Sequence, residues 1–194
     1  MRLNIGYFAD GPWSHLTFTK LIQNPDISIS FICGRYKKKD QTLKNFANQH
    51  NIDYLENDDV NSEEFISLIK NYKCDLFVSM SFDQIMKERV FNLPEFGTIN
   101  CHAGKLPLYK GRNILNWVLI NDEKEFGITV HYIDKGIDSG DIICQEVFPI
   151  TDADTYLTLL EKAYEECPKL LFKAIELIRL GNFHRIKQDT LGLK

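Results

Sequence analysis

The sequence predicts an α/β fold: a mostly parallel sheet with helices on both faces and an antiparallel strand pair near residues 127–148. Three observations predict it. Short apolar runs of strand length alternate with segments of helical periodicity, which calls for right-handed βαβ units. One of those runs, "CDLFVSM" at Cys74–Met80, is almost wholly apolar, as a strand covered on both faces must be. Two later runs, "GITVHYI" and "DIICQEVF", have only "DKGIDSG" between them. With no crossover helix, they are expected to pair antiparallel.

The elements follow in order. "LNIGYFA" (Leu3–Ala9) reads as the first strand, ended by the turn signal "DGP". Ser14 is placed to cap a helix carrying Leu16, Leu21 and Ile22 on one face. "ISISFIC" is the next strand, closed by Gly34, and the basic run "RYKKKD" after it reads as a solvated loop or a phosphate contact. A helix is expected over residues 42–50. Asn61 and Glu64 have capping-box spacing for a helix through Tyr72. "GTINCH" is a strand, "ILNWVLIN" a helix with Trp117 in the core, and Asp154 or Thr155 starts a long final helix. Pro168 is expected to kink or split that helix.

Composition bounds the function. The chain has 194 residues, 44% of them hydrophobic and 26% charged, which suits one globular domain with a substantial core. The net charge of −4 argues against a general nucleic-acid surface. No apolar run is long enough to span a membrane, and the N-terminus lacks the pattern of a signal peptide. The expected setting is the cytoplasm. The five cysteines (Cys33, Cys74, Cys101, Cys144, Cys167) are widely spaced and read as buried thiols, with no structural metal.

Ligands of open α/β sheets bind beyond the carboxyl ends of strands. Asn100 and His102 fall at such an end, in "INCHAGKLPLYKGR", and Asp138 lies in the glycine-bearing loop "DKGIDSG". An amide, an imidazole and a carboxylate suit acyl transfer to an amine. The amide can donate to the oxyanion of a tetrahedral intermediate, the imidazole can take a proton, and the carboxylate can orient the imidazole. From spacing alone the weight falls on structural roles: a strand-end histidine and a turn aspartate.

The motif "NCHAGKLPLYKGR" resembles the N-x-H-x-S-L-L-P-x-Y/W-R/K-G signature of the folate-dependent formyltransferases. "GITVHYIDKGIDSGDII" resembles the second half of that signature, with Asp138 at 36 positions after His102 and His131 seven before Asp138. The likeness covers roughly residues 3–150. It implies a Rossmann-like formyltransferase domain over 1–180 with a short tail, 181–194, and 10-formyltetrahydrofolate as formyl donor. Asn100, His102 and Asp138 would be the catalytic trio. Phe82, Asp83, Gln84, Ile85 and Met86 would hold the folate's pterin, largely by main-chain groups. Asp134, Lys135, Gly136, Ile137 and Asp138 would close the other side, and Arg112 matches a basic residue associated with donor binding in sugar formyltransferases. The departure is Gly104-Lys105, where the family usually has Ser-Leu. Lys105 there could meet an acceptor phosphate, the folate tail or water.

The resemblance also ranks the acceptors. Initiator methionyl-tRNA is disfavoured by the acidic balance and by a chain stopping at Lys194. Glycinamide ribonucleotide is disfavoured because "ADGPWSH" has one glycine before a proline that cannot donate. The "GRN…NW" stretch looks most like the sugar N-formyltransferases, so the expected partner is a nucleotide-linked amino sugar, as in O-antigen biosynthesis. No nucleic acid or membrane partner is expected, and a homodimer is left open. Trp13 either stacks on the acceptor or caps the core; Lys105 and Tyr109 are further acceptor candidates. A formyltetrahydrofolate hydrolase and a non-catalytic binding domain are the alternatives.

Overall fold

The computed structural model describes residues 2–37 and 39–188. Lys38, inside the basic run, and residues 189–194, most of the second half of the expected tail, lie outside the described residues. The chain divides into two compact units, Met1–Asn100 and Cys101–Lys194.

The first unit alternates strand and helix: β1 (Leu3–Ala9), α1 (Gly11–Ile22), β2 (Ile27–Gly34), α2 (Gln41–Gln49), β3 (Asp53–Glu56), α3 (Glu63–Lys70), β4 (Leu76–Met80), α4 (Glu88–Phe91) and the start of β5 (Thr98–His102), whose last two residues belong to the second unit. The strands run parallel in the order β3-β2-β1-β4-β5. β4 is buried along its whole length, as its apolar run requires. Phe8 gathers the core: its ring meets Phe31, Phe77 and Phe82 edge-on at 5.1–5.5 Å. A fully buried ring of this kind contributes about 2–3 kcal/mol.

Several local expectations give way here. α1 begins at Gly11, with Pro12 in its first turn, so Ser14 is not the cap. Ser14 is buried inside the helix, where its hydroxyl donates to the Gly11 carbonyl at 2.7 Å. Leu16 is exposed, and the buried stripe is Ser14, Thr17, Phe18 and Leu21. The cap of α3 is Ser62, whose Oγ accepts from Phe65 N at 3.2 Å. Asn61 turns to the 85–87 segment instead. The basic run is not simply solvated: Arg35 donates to the Ser81 carbonyl at 2.7 Å and lies 3.1 Å from Asp10, and Lys39 pairs with Glu56 at 2.6 Å. β3 and α4 have no counterpart in the sequence reading, being only four residues each.

The second unit holds α5 (Ile114–Ile120), the strands β6 (Glu125–Tyr132) and β7 (Ile142–Pro149), and α6 (Tyr156–Arg179). β6 and β7 pair antiparallel, from Glu125 opposite Pro149 to His131 opposite Ile142, with a register shift between Val130 and His131. α6 starts in a capping box in which the Thr155 and Thr158 hydroxyls each accept from the other's backbone N–H. It runs through Pro168 as one helix of 24 residues, so the proline does not split it. Trp117 is 52% exposed and not core: α5 buries Ile114, Leu115 and Val118. Among the described residues no helix is long and apolar enough to cross a membrane.

Candidate active site

β5 ends in Asn100 and His102, which, two residues apart on a strand, share a face. Asn100 stands opposite Ser79 of β4 and is half-buried. His102 is only 8% exposed. Its Nε2 lies 2.6 Å from the Tyr109 carbonyl oxygen. A carbonyl can only accept, so Nε2 carries the hydrogen, and in the neutral ring Nδ1 holds the lone pair. Gly104 makes this bond possible. A Cβ there would stand 2.3 Å from both His102 Nε2 and the Tyr109 oxygen. The residue that departs from the family signature is therefore the one the backbone approach demands.

The loop around Gly104 is held from β6 and β7. Thr129 Oγ1 donates to the Gly104 carbonyl at 2.7 Å, and Gln145 Nε2 donates to the Leu106 carbonyl at 2.9 Å and to Thr129 Oγ1 at 2.8 Å.

Asp138 meets His102 within the second unit. Its φ is +49°, a left-handed conformation that Asp tolerates better than most residues. Gly111 N donates to Oδ2 at 2.8 Å, and Gln188 Nε2 donates to the Asp138 carbonyl at 2.9 Å and the Gly140 carbonyl at 2.8 Å. His102 Nδ1 lies 3.6 Å from Oδ2, and His131 Nε2 lies 3.4 Å from Oδ1. His131 is 2% exposed, and its Nδ1 donates to the Tyr132 carbonyl at 2.8 Å.

Electrostatics follow from this placement. Burial pushes the His102 imidazole below its ordinary value of 6.5; Asp138 and the Tyr109 carbonyl oppose the fall without cancelling it, and His131 adds to it. Burial also favours the neutral Asp138 acid, but the His131 contact, the His102 charge and the Gly111 amide together outweigh it and hold the carboxyl down at about 2.

The remaining candidates fall as follows. Lys105 pairs with Glu125. The Tyr109 hydroxyl donates to Glu123 at 2.5 Å and accepts from Asn121 at 3.2 Å. Arg112, Asp134, Lys135, Gly136 and Ile137 are exposed, and Asp134 ties its own loop through Gly136 N at 3.0 Å and Ser139 Oγ at 2.6 Å.

In the first unit, Phe82 packs on Phe8, Met86 is buried and Ile85 is exposed. Gln84 accepts from Val60 N at 3.0 Å and donates to the Asn57 carbonyl at 2.7 Å. Asn61 donates to the Ile85 carbonyl at 3.0 Å and accepts from Lys87 N at 2.7 Å. Asp83 lies 4.0 Å from Arg35. Trp13 is half-buried in the first turn of α1.

The sequence reading missed Thr129, Gln145, Gly111, Gln188 and Asn61 as supports, and gave His131 no role. His131 was marked by its place seven before Asp138, Gly111 lay inside the quoted motif and Asn61 was read as a cap, whereas Thr129, Gln145 and Gln188 carried no signal. Among the described residues no group of three or more His, Cys, Asp or Glu side chains is arranged to hold a metal ion.

Comparison with known proteins adds the following. The family model described as formyl transferase matches residues 27–175. The methionyl-tRNA formyltransferase of Fusobacterium nucleatum is 34% identical over 147 residues, covering 76% of this chain and 47% of that protein. The chain spans about half the length of the curated relatives it matches. Glycinamide ribonucleotide transformylase 1 from Symbiobacterium toebii superposes with a TM-score of 0.79 at 20% identity, over 95% of this chain and 94% of that one, a likeness of fold. WlaRD, a sugar 3N-formyl transferase whose structure was solved in the presence of dTDP and 5-N-formyl-THF, has a TM-score of 0.75 at 25% identity, over 98% of this chain and 68% of that one.

Proposed function

The chain belongs to the formyl transferase family, and from that premise we propose that it moves a formyl group from 10-formyltetrahydrofolate to the amine of a nucleotide-linked amino sugar. The observation that carries the reading is the His102 imidazole: buried, held below its ordinary pKa, fixed in one tautomer by the Tyr109 carbonyl and facing Asp138.

The donor supplies an electrophilic formyl carbon. Attack by a neutral amine leaves negative charge on the formyl oxygen and positive charge on the amine nitrogen. The Asn100 amide is assigned to donate to that oxygen, which is worth about 10²–10³-fold in rate for one such donor. His102 Nδ1 takes the amine proton and passes it to the departing donor nitrogen. Asp138, an anion through the working range, stabilises the imidazolium while it exists.

Donor binding is assigned to Phe82–Met86 and to Arg112 and Asp134–Asp138. The hydrogen bonds of Gln84 and Asn61 fix the course of the 82–86 loop, which supports its assignment to a ligand that is met by main-chain groups. The Ile85 carbonyl accepts from Asn61 at 3.0 Å and keeps a second lone pair, so it and the other main-chain groups of the loop are assigned to meet the pterin.

The acceptor is argued from α1. Its N-terminus is occupied by a carboxylate: Gly11 N and His15 Nε2 each lie 2.7 Å from Asp40 Oδ2. A free phosphate cradled there would meet Asp40 and the nearby Asp10, which disfavours glycinamide ribonucleotide. The likeness to WlaRD supports a sugar amine. Trp13, half-buried in the first turn of α1, is assigned to stack on it, and Lys105 and Tyr109 would have to leave Glu125 and Glu123 to meet it. Such a product serves surface polysaccharides of the O-antigen kind. A second reading, formylation of initiator methionyl-tRNA, is favoured by the identity to methionyl-tRNA formyltransferases.

The test is an assay with 10-formyltetrahydrofolate and a panel of nucleotide-linked amino sugars, methionyl-tRNA and glycinamide ribonucleotide, read by mass spectrometry. A gain of one formyl group on a sugar nucleotide is expected. Formylation of methionyl-tRNA alone replaces the acceptor, and donor hydrolysis without any amine replaces the reaction.

A further inference from the structure

The backbone at Asp138 is in a conformation that needs outside support. Its φ of +49° is left-handed, and a residue with a Cβ stays there only where surrounding contacts over-determine it. The loop's own side-chain bonds stop short of it: Asp134 Oδ1 accepts from Gly136 N at 3.0 Å and from Ser139 Oγ at 2.6 Å. The Asp138 carbonyl is met instead from fifty residues further along the chain, by Gln188. Gln188 Nε2 donates to it at 2.9 Å and to the Gly140 carbonyl at 2.8 Å. Both partners can only accept, so the NH₂ end of the amide faces them and each hydrogen has its own carbonyl. Gln188 is 7% exposed, which leaves little room for water to stand in for it. The segment that carries Gln188 is itself tied down. Ile186 exchanges two backbone hydrogen bonds with Ile142 at the start of β7, at 2.8 and 2.9 Å. The Arg185 guanidinium lies over the Tyr132 ring at 3.8 Å, and Phe183 packs on the same ring at 6.4 Å. Tyr132 closes β6, and a Cβ on Gly140 would collide with its carbonyl. The segment is thus anchored to both strand ends that flank the Asp138 loop, and the Gln188 amide clamps the loop between them. All of these residues lie in the second unit.

We propose that Gln188 is a positioning residue: its amide fixes the left-handed turn at Asp138 and so aims the carboxylate at Gly111 N and at His102. The backbone angles of a residue set where its Cβ points, so holding the Asp138 carbonyl also holds the direction of its side chain. The far end of that side chain meets Gly111 N at 2.8 Å and stands 3.6 Å from His102 Nδ1. Without the amide, two buried carbonyls lose their donor, and the turn relaxes toward a φ that Asp adopts without strain. The carboxylate then swings off Gly111 and no longer faces His102.

The inference rests on the proposed reading only for its kinetic arm, so the primary test uses the ligand-free full chain. Gln188→Met keeps the length and bulk of the side chain and removes both donors. Deuterium exchange read by NMR is expected to quicken at the Gly111 amide by about tenfold, the protection of one hydrogen bond, while the β6–β7 ladder keeps its own. Unchanged exchange at Gly111 overturns the proposal, whatever the activity. In the unaltered chain both Gln188 side-chain amide hydrogens are expected to exchange slowly; a rapidly exchanging pair overturns it without any variant. In the kinetic arm, kcat for formyl transfer is expected to fall about ten- to a hundredfold in Gln188→Met with acceptor KM unchanged, as misplacing one reacting group does. Gln188→Glu, which turns an acceptor toward both carbonyls, is expected to lose at least as much. A wild-type kcat in either variant overturns the proposal. If the unaltered chain transfers no formyl group, faster Gly111 exchange in Gln188→Met still supports the positioning, and the failure is that of the proposed function alone.

Discussion

At the scale of single residues, His102, Asn100 and Gly104 make separable predictions. His102→Ala and Asn100→Ala are each expected to lower turnover about 10²-fold or more while the fold is kept. Steady-state kinetics with the identified acceptor, alongside circular dichroism, checks this; near-normal turnover in Asn100→Ala removes its oxyanion role. Gly104→Ala tests the tautomer lock. Its Cβ would collide with the His102–Tyr109 bond at 2.3 Å from each partner. The expected result is a loss of turnover together with about 1–3 kcal/mol of stability, the usual cost of overpacking.

Protonation also couples this site to stability. His102 binds its proton less tightly folded than unfolded, so its contribution is complete above 6.5 and lost as pH falls through its lower folded value. Asp138, held at about 2 against an ordinary 3.8, contributes fully above 3.8 and loses that contribution as pH falls through about 2. Urea midpoints measured against pH are expected to decline first below 6.5 and again below 3.8. His102→Gln is expected to remove the first decline.

At the scale of elements, neighbouring residues carry two tasks of which the sequence reading saw one and gave it to the wrong neighbour. Asn61 and Glu64 carry capping-box spacing, yet Ser62 caps α3 and Asn61 holds the 85–87 segment. Ser62→Ala is therefore expected to cost about 1 kcal/mol in chemical denaturation with donor KM unchanged. Asn61→Ala is expected to raise donor KM several-fold with little change in stability; the reverse pattern would return the cap to Asn61. Trp117 shows how short a stripe a short helix buries. With Ile114, Leu115 and Val118 inward, residue 117 lies about 110° around from the middle of that stripe at 3.6 residues per turn. Helical spacing from Ile114 and Leu115 placed it in the core, and its position relative to the buried stripe of α5 put it at the surface.

At the scale of the whole molecule, the thiols report on both units at once. All five cysteines are free. Burial raises Cys74 and Cys144 to about 12 and pushes Cys33 and Cys167 up as well, so thiolate is scarce at neutral pH. Cys101 is buried, its Sγ donating to the Cys167 carbonyl at 3.7 Å. A chromogenic disulfide reagent is expected to label the native protein slowly and all five thiols after denaturation. Rapid labelling of the native chain would show that one unit opens readily.

Strand positions, the long final helix and the residues Asn100, His102 and Asp138 were legible in the sequence because each depends on local pattern: apolar runs, turn residues and two linked motifs. That Asp138 reaches His102 was legible only through the resemblance, since 36 residues separate them. The short β3 and α4 left no periodicity long enough to detect. Gly104 stood out as a departure, but its reason, the approach of the Tyr109 carbonyl to His102, exists only once the chain has turned back on itself. The place of His131 beside Asp138 depends on a register shift between strands, and the state of each imidazole on which carbonyl its far nitrogen meets. Those are long-range contacts, and sequence order does not encode them locally. Local pattern was enough for the longer elements and the chemical groups available, whereas which groups face one another follows from the fold, because burial and hydrogen-bond partners exist only in the folded chain.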